Sequence, residues 1–180
     1  LNQHLEEYEV NSFTMLLEPV QYGSKLFTKV IEISDEFLVP LKPLDVIKNS
    51  CKYFGVDYES RKKGTKQLIG YTRKVPIAIE PSNRIFFFPT TSPAGNECIW
   101  ISSEHVENYR RIGPQQTLIT FRNKYTHVLP VSYGMIEKQM LRTSLLKTKL
   151  LQRIEGRKMS FYLMDRPKTL QALEKSHDYE

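Results

Sequence analysis

Two groups of basic residues carry the clearest chemical potential in this chain. Arg61, Lys62, Lys63 and Lys66 crowd around Gly64 and Thr65 in the string RKKGTK. Lys138, Arg142, Lys149 and Arg153 recur at spacings of 4, 7 and 4 after Ser132. The chemistry both suggest is phosphate binding. In a loop, Gly64 would let the backbone approach another surface closely. Backbone N–H groups and the Thr65 hydroxyl would then join the cations on phosphate oxygens. The string lacks the Gly-x-x-x-x-Gly-Lys pattern of a nucleotide-binding loop. On a helix, at 100° per residue, the four cations of the second group lie within about 60° of one another. Such a stripe can lie along phosphates or in a membrane interface, but no Trp or Phe marks its apolar face. Both groups also suit a solvated surface, where Lys and Arg cost little. Asn83 and Arg84, beside the apolar run Ile85–Phe88, are a weaker third candidate.

Other chemistry is harder to find. His4, His105, His127 and His177 are scattered. Cys98 and His105 lie seven apart, with no second pair to complete a four-ligand zinc site. A Cys98–His105 dyad has nothing behind it but the two residues. No nucleophile elbow, dinucleotide fingerprint or helical His-Glu-x-x-His occurs. The expectation is a protein with no catalytic residue, no metal and no cofactor. Two cysteines, Cys51 and Cys98, make no disulfide framework and suit buried thiols in a reducing compartment.

The formal net charge is +6, and it is uneven. Residues 1–20 hold Glu6, Glu7, Glu9 and Glu18 with no Lys or Arg, while residues 138–168 hold nine Lys/Arg against Glu155 and Asp165. A concentrated positive field attracts polyanions. No apolar run approaches the ~18 residues of a membrane span. The acidic start is unlike a signal peptide. A cytoplasmic protein without membrane attachment is expected.

These cations need elements to position them. The centre is residues 81–106, where Ile85–Phe88 and Cys98–Ser102 predict two strands of a β-rich core. The unbroken apolar run Ile85–Phe88 predicts a strand buried on both faces. Before it, Tyr8–Glu18 and Leu26–Ile33 predict a hairpin turning near Gly23. A short strand follows at Phe37–Leu41, and Pro76 predicts an edge strand at Thr72–Glu80. Pro43 opens a helix whose face carries Leu44, Ile47, Cys51 and Phe54, with Gly55 as its stop. RKKGTK is expected in a loop. Ser103–Arg111 is expected as one or two helical turns ended by Gly113-Pro114. Thr117–Phe121 and Tyr125–Leu129 predict a second hairpin around Arg122–Lys124. From Ser132, a plausible cap, a long basic helix is expected to run to Gly156. Its core face would carry Ile136, Met140, Leu150, Leu151 and Ile154, interrupted by Thr143 and Lys147. The fold class is thus α+β, an antiparallel-rich core at residues 8–155 with a tail at 156–180.

Several motifs then combine. KPLDVIKNSCKYFG, RKKGT, PSNRIFFFPT, CIWISSEHV and LPVSYGMIEKQMLRTSLLKTK resemble the bacterial competence transcription factor family, in family order and across roughly residues 6–155. The resemblance implies a sequence-specific DNA-binding activator of DNA-uptake and recombination genes. It would bind paired A/T-rich boxes as a homodimer or higher oligomer, largely from the minor groove, and recruit or stabilise RNA polymerase. A minor groove over A·T pairs is narrow and negative and attracts Arg and Lys. Its edge offers mainly acceptors. The tail run FYLMDRPK resembles, with a shifted Pro and an inserted acid, the family motif recognised by an adaptor of the Clp protease. That makes Phe161, Tyr162, Leu163 and Met164 the partner-binding candidates. An RNA-binding or ribonucleoprotein-associated module is the alternative the same charges permit. A nucleic-acid-processing enzyme would need clustered carboxylates, which the sequence lacks.

Overall fold

The computed structural model describes residues 3–164, with side chains described through Glu155; the tail beyond lies outside the described residues. Seven strands form one sheet: β1 (Gln3–His4), β2 (Thr14–Tyr22), β3 (Lys25–Glu32), β4 (Glu36–Val39), β5 (Ile77–Glu80), β6 (Ile85–Pro89) and β7 (Trp100–Ser102). Their order is β1-β4-β3-β2-β7-β6-β5, antiparallel except for the β1–β4 pair. A second, antiparallel sheet has the order β10-β9-β8, from β8 (Val106–Gly113), β9 (Gln116–Phe121) and β10 (Thr126–Leu129). The helices are α1 (Pro43–Tyr53), α2 (Tyr58–Ile69) and α3 (Tyr133–Met164). The α+β class, the antiparallel core, the early helix and the long C-terminal helix are as the sequence predicts.

The β6–β7 pair lies inside the large sheet, with Phe88 opposite Ile101 and Pro89 opposite Trp100. All five β6 residues are buried because both faces of the sheet are covered. On one face Leu17, Ile77, Phe87 and Trp100 pack on Val46, Ile47 and Cys51 of α1. On the other, Leu16, Ile31, Phe88 and Ile101 meet Ile119, Phe121 and Leu129 of the small sheet, with Ile136 of α3. Further along that face Phe86 and Ala78 meet Leu146 of α3 and Ile69 of α2. Each large side chain fully buried there contributes about 2–3 kcal/mol of transfer free energy. Helix α2 sends Tyr58 into the first cluster and Ile69 into the third. It therefore passes the β5 edge of the sheet and covers it, which removes an open strand edge.

Four local expectations are corrected. RKKGTK is not a loop but the middle of α2. Asp57 caps that helix, accepting the Ser60 N–H at 2.9 Å, and Gly70 closes it in the left-handed region at φ +76°. The interior Gly64 costs the helix about 1 kcal/mol relative to Ala, which the two caps and the burial of Thr65 and Ile69 offset. Ser103–His105 is a single 3-10 turn, and the rest of the expected helix is strand β8. Pairing with β9 decides the conformation there, and Gly113-Pro114 belongs to a hairpin tip rather than a helix end. Gly156 does not stop α3, which continues to Met164 with helix formers on both sides of it. The buried stripe of α3 is Ile136, Gln139, Thr143 and Leu146, two of them polar. Thr143 belongs to it rather than interrupting it, because its hydroxyl donates to Gln139 O within the helix.

Candidate nucleic-acid interface

Helices α2 and α3 bring the two basic groups to one side of the molecule. Between them lies a cleft of about 440 Å³, floored by Leu68, Ala78, Leu146 and Leu150. Arg61 of α2 and Arg153 of α3 stand among its lining residues, along with Asp57 and Thr65. Arg61 Nε is buried there with no hydrogen-bond partner among the described residues. Asp57 is occupied with its capping bond, and the Ser60 N–H holds its carboxyl below the usual range. The cleft thus takes one arginine from each of two different elements, Arg61 from α2 and Arg153 from α3.

Three other cations of this face have structural partners. Lys149 Nζ donates to Leu68 O at 2.9 Å. Leu68 lies in the last turn of α2, whose terminal carbonyls have no helical partners, so the ammonium completes the negative end of that helix. Arg142 Nη1 donates to Arg73 O at 3.2 Å, and the guanidinium stacks 4.2 Å from the centre of the Tyr71 ring. Lys62 faces Glu59 at 3.8 Å and lies near the Tyr58 ring. Lys63 is exposed and Lys66 half-exposed on α2. Lys149, Arg142 and Lys62 are thus held in place by these contacts.

Asn83 and Arg84 are elsewhere. They sit in the 3-10 turn between β5 and β6, with Arg84 in the left-handed region at φ +57°. Both are exposed beside Asn11, Glu104 and His105, and they line a separate hollow. They do not join the cleft. The side chains of Phe161, Tyr162, Leu163 and Met164 lie outside the described residues.

Cys98 and His105 do not meet as a dyad. Cys98 packs in the α1-side cluster, while His105 Nε2 bonds to Ser12 O at 2.8 Å. Burial pushes the Cys51 thiol up to about 11 and raises that of Cys98, so neither is a ready thiolate. Among the described residues no group of three or more His, Cys, Asp or Glu is placed to hold a metal ion.

One basic element escaped the sequence reading. On the β8–β9 ribbon, Arg110 and Arg111 are exposed, and no hydrogen bond or ion pair engages them among the described residues. The signal was present in the apolar alternation of Thr117–Phe121, which requires a partner strand upstream. Val106 and Tyr109, three apart, matched a helical turn as well.

A family model described as ComK protein matches residues 5–155. The competence transcription factor of Bacillus subtilis (strain 168) is 41% identical over 153 residues, which cover 85% of this chain and 80% of that protein. No solved structure matches the chain.

Proposed function

The chain belongs to the ComK protein family, and from that premise we propose that it is a DNA-binding transcription activator of competence genes. The observation that carries this reading is the extent of the match: it takes in both sheets apart from β1, with α1, α2 and the basic length of α3, and so every element that positions the cations. Similarity to a competence transcription factor at 41% identity supports it. The target is double-stranded DNA with paired A/T-rich boxes, approached from the minor groove, where narrow negative grooves favour Arg and Lys. Arg61 and Arg153 hold phosphates at the cleft, and the exposed Lys63 and half-exposed Lys66 extend that contact along α2. The protein acts as a homodimer or higher oligomer in the cytoplasm, on the nucleoid, and engages RNA polymerase. The run Phe161–Met164 is its contact with an adaptor of the Clp protease. No described helix is long and apolar enough to cross a membrane.

The test is binding to labelled duplexes across a salt series, two A/T boxes against G/C-rich DNA of equal length. The expected outcome is selective binding with a log–log salt slope of about −0.9 per neutralised phosphate. Binding that is insensitive to salt, or equal on both duplexes, overturns the reading.

A further inference from the structure

We propose that the β8–β9 ribbon is a groove-reading arm whose tip enters the minor groove of the duplex, with Arg110, Arg111, Gln115 and Gln116 on base edges and phosphates and Ile112 and Pro114 as an apolar wedge. This rests on the reading of the chain as a DNA-binding activator and deepens it.

β9 is paired with β10 as far as Thr117, opposite Leu129, so the sheet is anchored up to that rung and residues 112–116 stand beyond it. At its base Val106, Ile119 and Phe121 are in the core. Thr117 Oγ1 donates to Val131 O at 2.9 Å, and the Tyr109 ring lies 5.3 Å from that of Tyr133 at the start of α3. These contacts hold the ribbon to the body. Along the outer edge of β8, Arg110 pairs with Leu118 and Arg111 with Thr117, and past that anchored rung Gly113 pairs with Gln116. Ile112 is the extra residue of a bulge between the last two pairs. A bulge re-aims the side chains around it, and Ile112 is 42% exposed, an apolar residue facing water beside two arginines. Pro114, Gln115 and Gln116 are all exposed at the tip. The side-chain-free Gly113 faces Gln116 and keeps the last rung narrow.

This composition matches one ligand surface. The minor-groove edge of A·T pairs offers acceptors only, which Arg and Gln donors satisfy. Minor-groove proteins also insert Ile or Pro between base steps and kink the duplex toward the major groove. Two strands about 4.8 Å apart with side chains do not fit a groove about 6 Å wide, so entry requires the groove to open and the DNA to bend. The ribbon also stands a useful distance from the α2–α3 cleft. Tyr133 beside Tyr109 and Arg153 in the cleft are separated by about 30 Å of helix, close to the ~34 Å between equivalent groove positions one DNA turn apart.

The experiment uses the full chain and the A/T-box duplex labelled at both ends, so that affinity, salt slope and end-to-end energy transfer are read together. Arg110→Ala/Arg111→Ala should weaken A/T-box binding about tenfold to a hundredfold and reduce the salt slope by about 2. Ile112→Ser/Pro114→Ser should keep the slope and lose the bend. Both pairs are exposed, and an unchanged unfolding midpoint checks that folding is intact. Wild-type binding that neither variant alters overturns the ribbon proposal and leaves the activator reading standing. Loss of affinity with the wild-type bend retained in both variants makes the ribbon a phosphate contact and overturns the wedge. A wild-type protein that binds neither A/T nor G/C duplex overturns the activator reading itself.

Discussion

The α2–α3 face and the β8–β9 ribbon are both basic, but they use their cations differently. On the helical face Lys149 is spent in part on Leu68 O, Arg142 on Arg73 O and the Tyr71 ring, and Lys62 on Glu59. On the ribbon Arg110 and Arg111 have no such partners among the described residues. A lysine with one N–H on a carbonyl loses freedom of position. It adds to the local field at a fixed place, which suits phosphates, since these position a protein without specifying sequence. An arginine with all five donors open retains the capacity to distinguish base edges. In the reading proposed above, the difference divides the labour: the helical face would supply affinity and register, and the ribbon selectivity.

The largest effect that would sharpen this contrast comes from Gln139. Its side chain is fully buried on α3, and Nε2 donates to Lys74 O at 2.7 Å and Pro89 O at 2.6 Å. It thereby fixes α3 to the segment before β5 and to the end of β6. Gln139→Leu keeps the volume and leaves both carbonyls unpaired, at a cost of about 2–3 kcal/mol. A lower urea midpoint at constant m checks it. Hydrogen exchange should rise along α3 and at Val75, while the β8–β9 amides keep their protection. If the ribbon loses protection equally, the two regions unfold together and are not separate devices.

The contrast also explains what the sequence disclosed. Periodic apolar residues marked α1, the β2–β3 hairpin, the β6–β7 centre and α3, because burial on a sheet or helix imposes spacing. The cations of α2 were found as residues but placed in the wrong element. Gly64 suggested a loop, while the real boundaries were the cap at Asp57 and the left-handed Gly70, thirteen residues apart. On α3 the stripe was read from apolar residues alone, so Gln139 and Thr143 were missed. Their burial depends on carbonyl partners distant in the chain. The ribbon arginines were invisible for a related reason: strand β8 is half polar and is held by β9, so its own alternation is weak. That Arg61 and Arg153 share a cleft depends on tertiary packing, which no local pattern encodes.

Gly64 offers a smaller test on the helical side. It lies in α2, lines the cleft, and a Cβ added to it would meet nothing within 4 Å. Gly64→Ala should therefore stabilise the protein by about 0.5–1 kcal/mol, seen as a higher thermal midpoint. Affinity for the A/T-box duplex should not change, since the phosphate contacts proposed for this face come from side chains. A several-fold loss of affinity in the stabler variant would mean that DNA backbone packs directly on α2 at Gly64, and the face would be doing more than presenting fixed charges.

The smallest effect concerns how the ribbon-bearing sheet is fastened to the large one. His127 on β10 donates from Nε2 to Glu18 Oε1 on β2 at 3.0 Å, and both side chains are largely shielded. The hydrogen bond from His127 holds the Glu18 carboxyl below its ordinary value of 4.5. A carboxyl with a lower pKa folded than unfolded binds more protons in the unfolded chain. Its contribution is therefore complete above the unfolded value and is lost as pH falls through the folded one. Glu18→Gln should cost about 0.5–1 kcal/mol near neutral pH, and the gap between wild type and variant should narrow as the solution is taken below about pH 4.5. Urea unfolding at a series of pH values measures the gap. Hydrogen exchange at the β10 amides shows where the loss falls. A gap independent of pH would mean that the carboxylate's charge does not hold the two sheets together. Fastening would then rest on neutral contacts such as the Asn123 Nδ2 bond to Ile33 O at 2.9 Å, and the ribbon's seat would not loosen in acid.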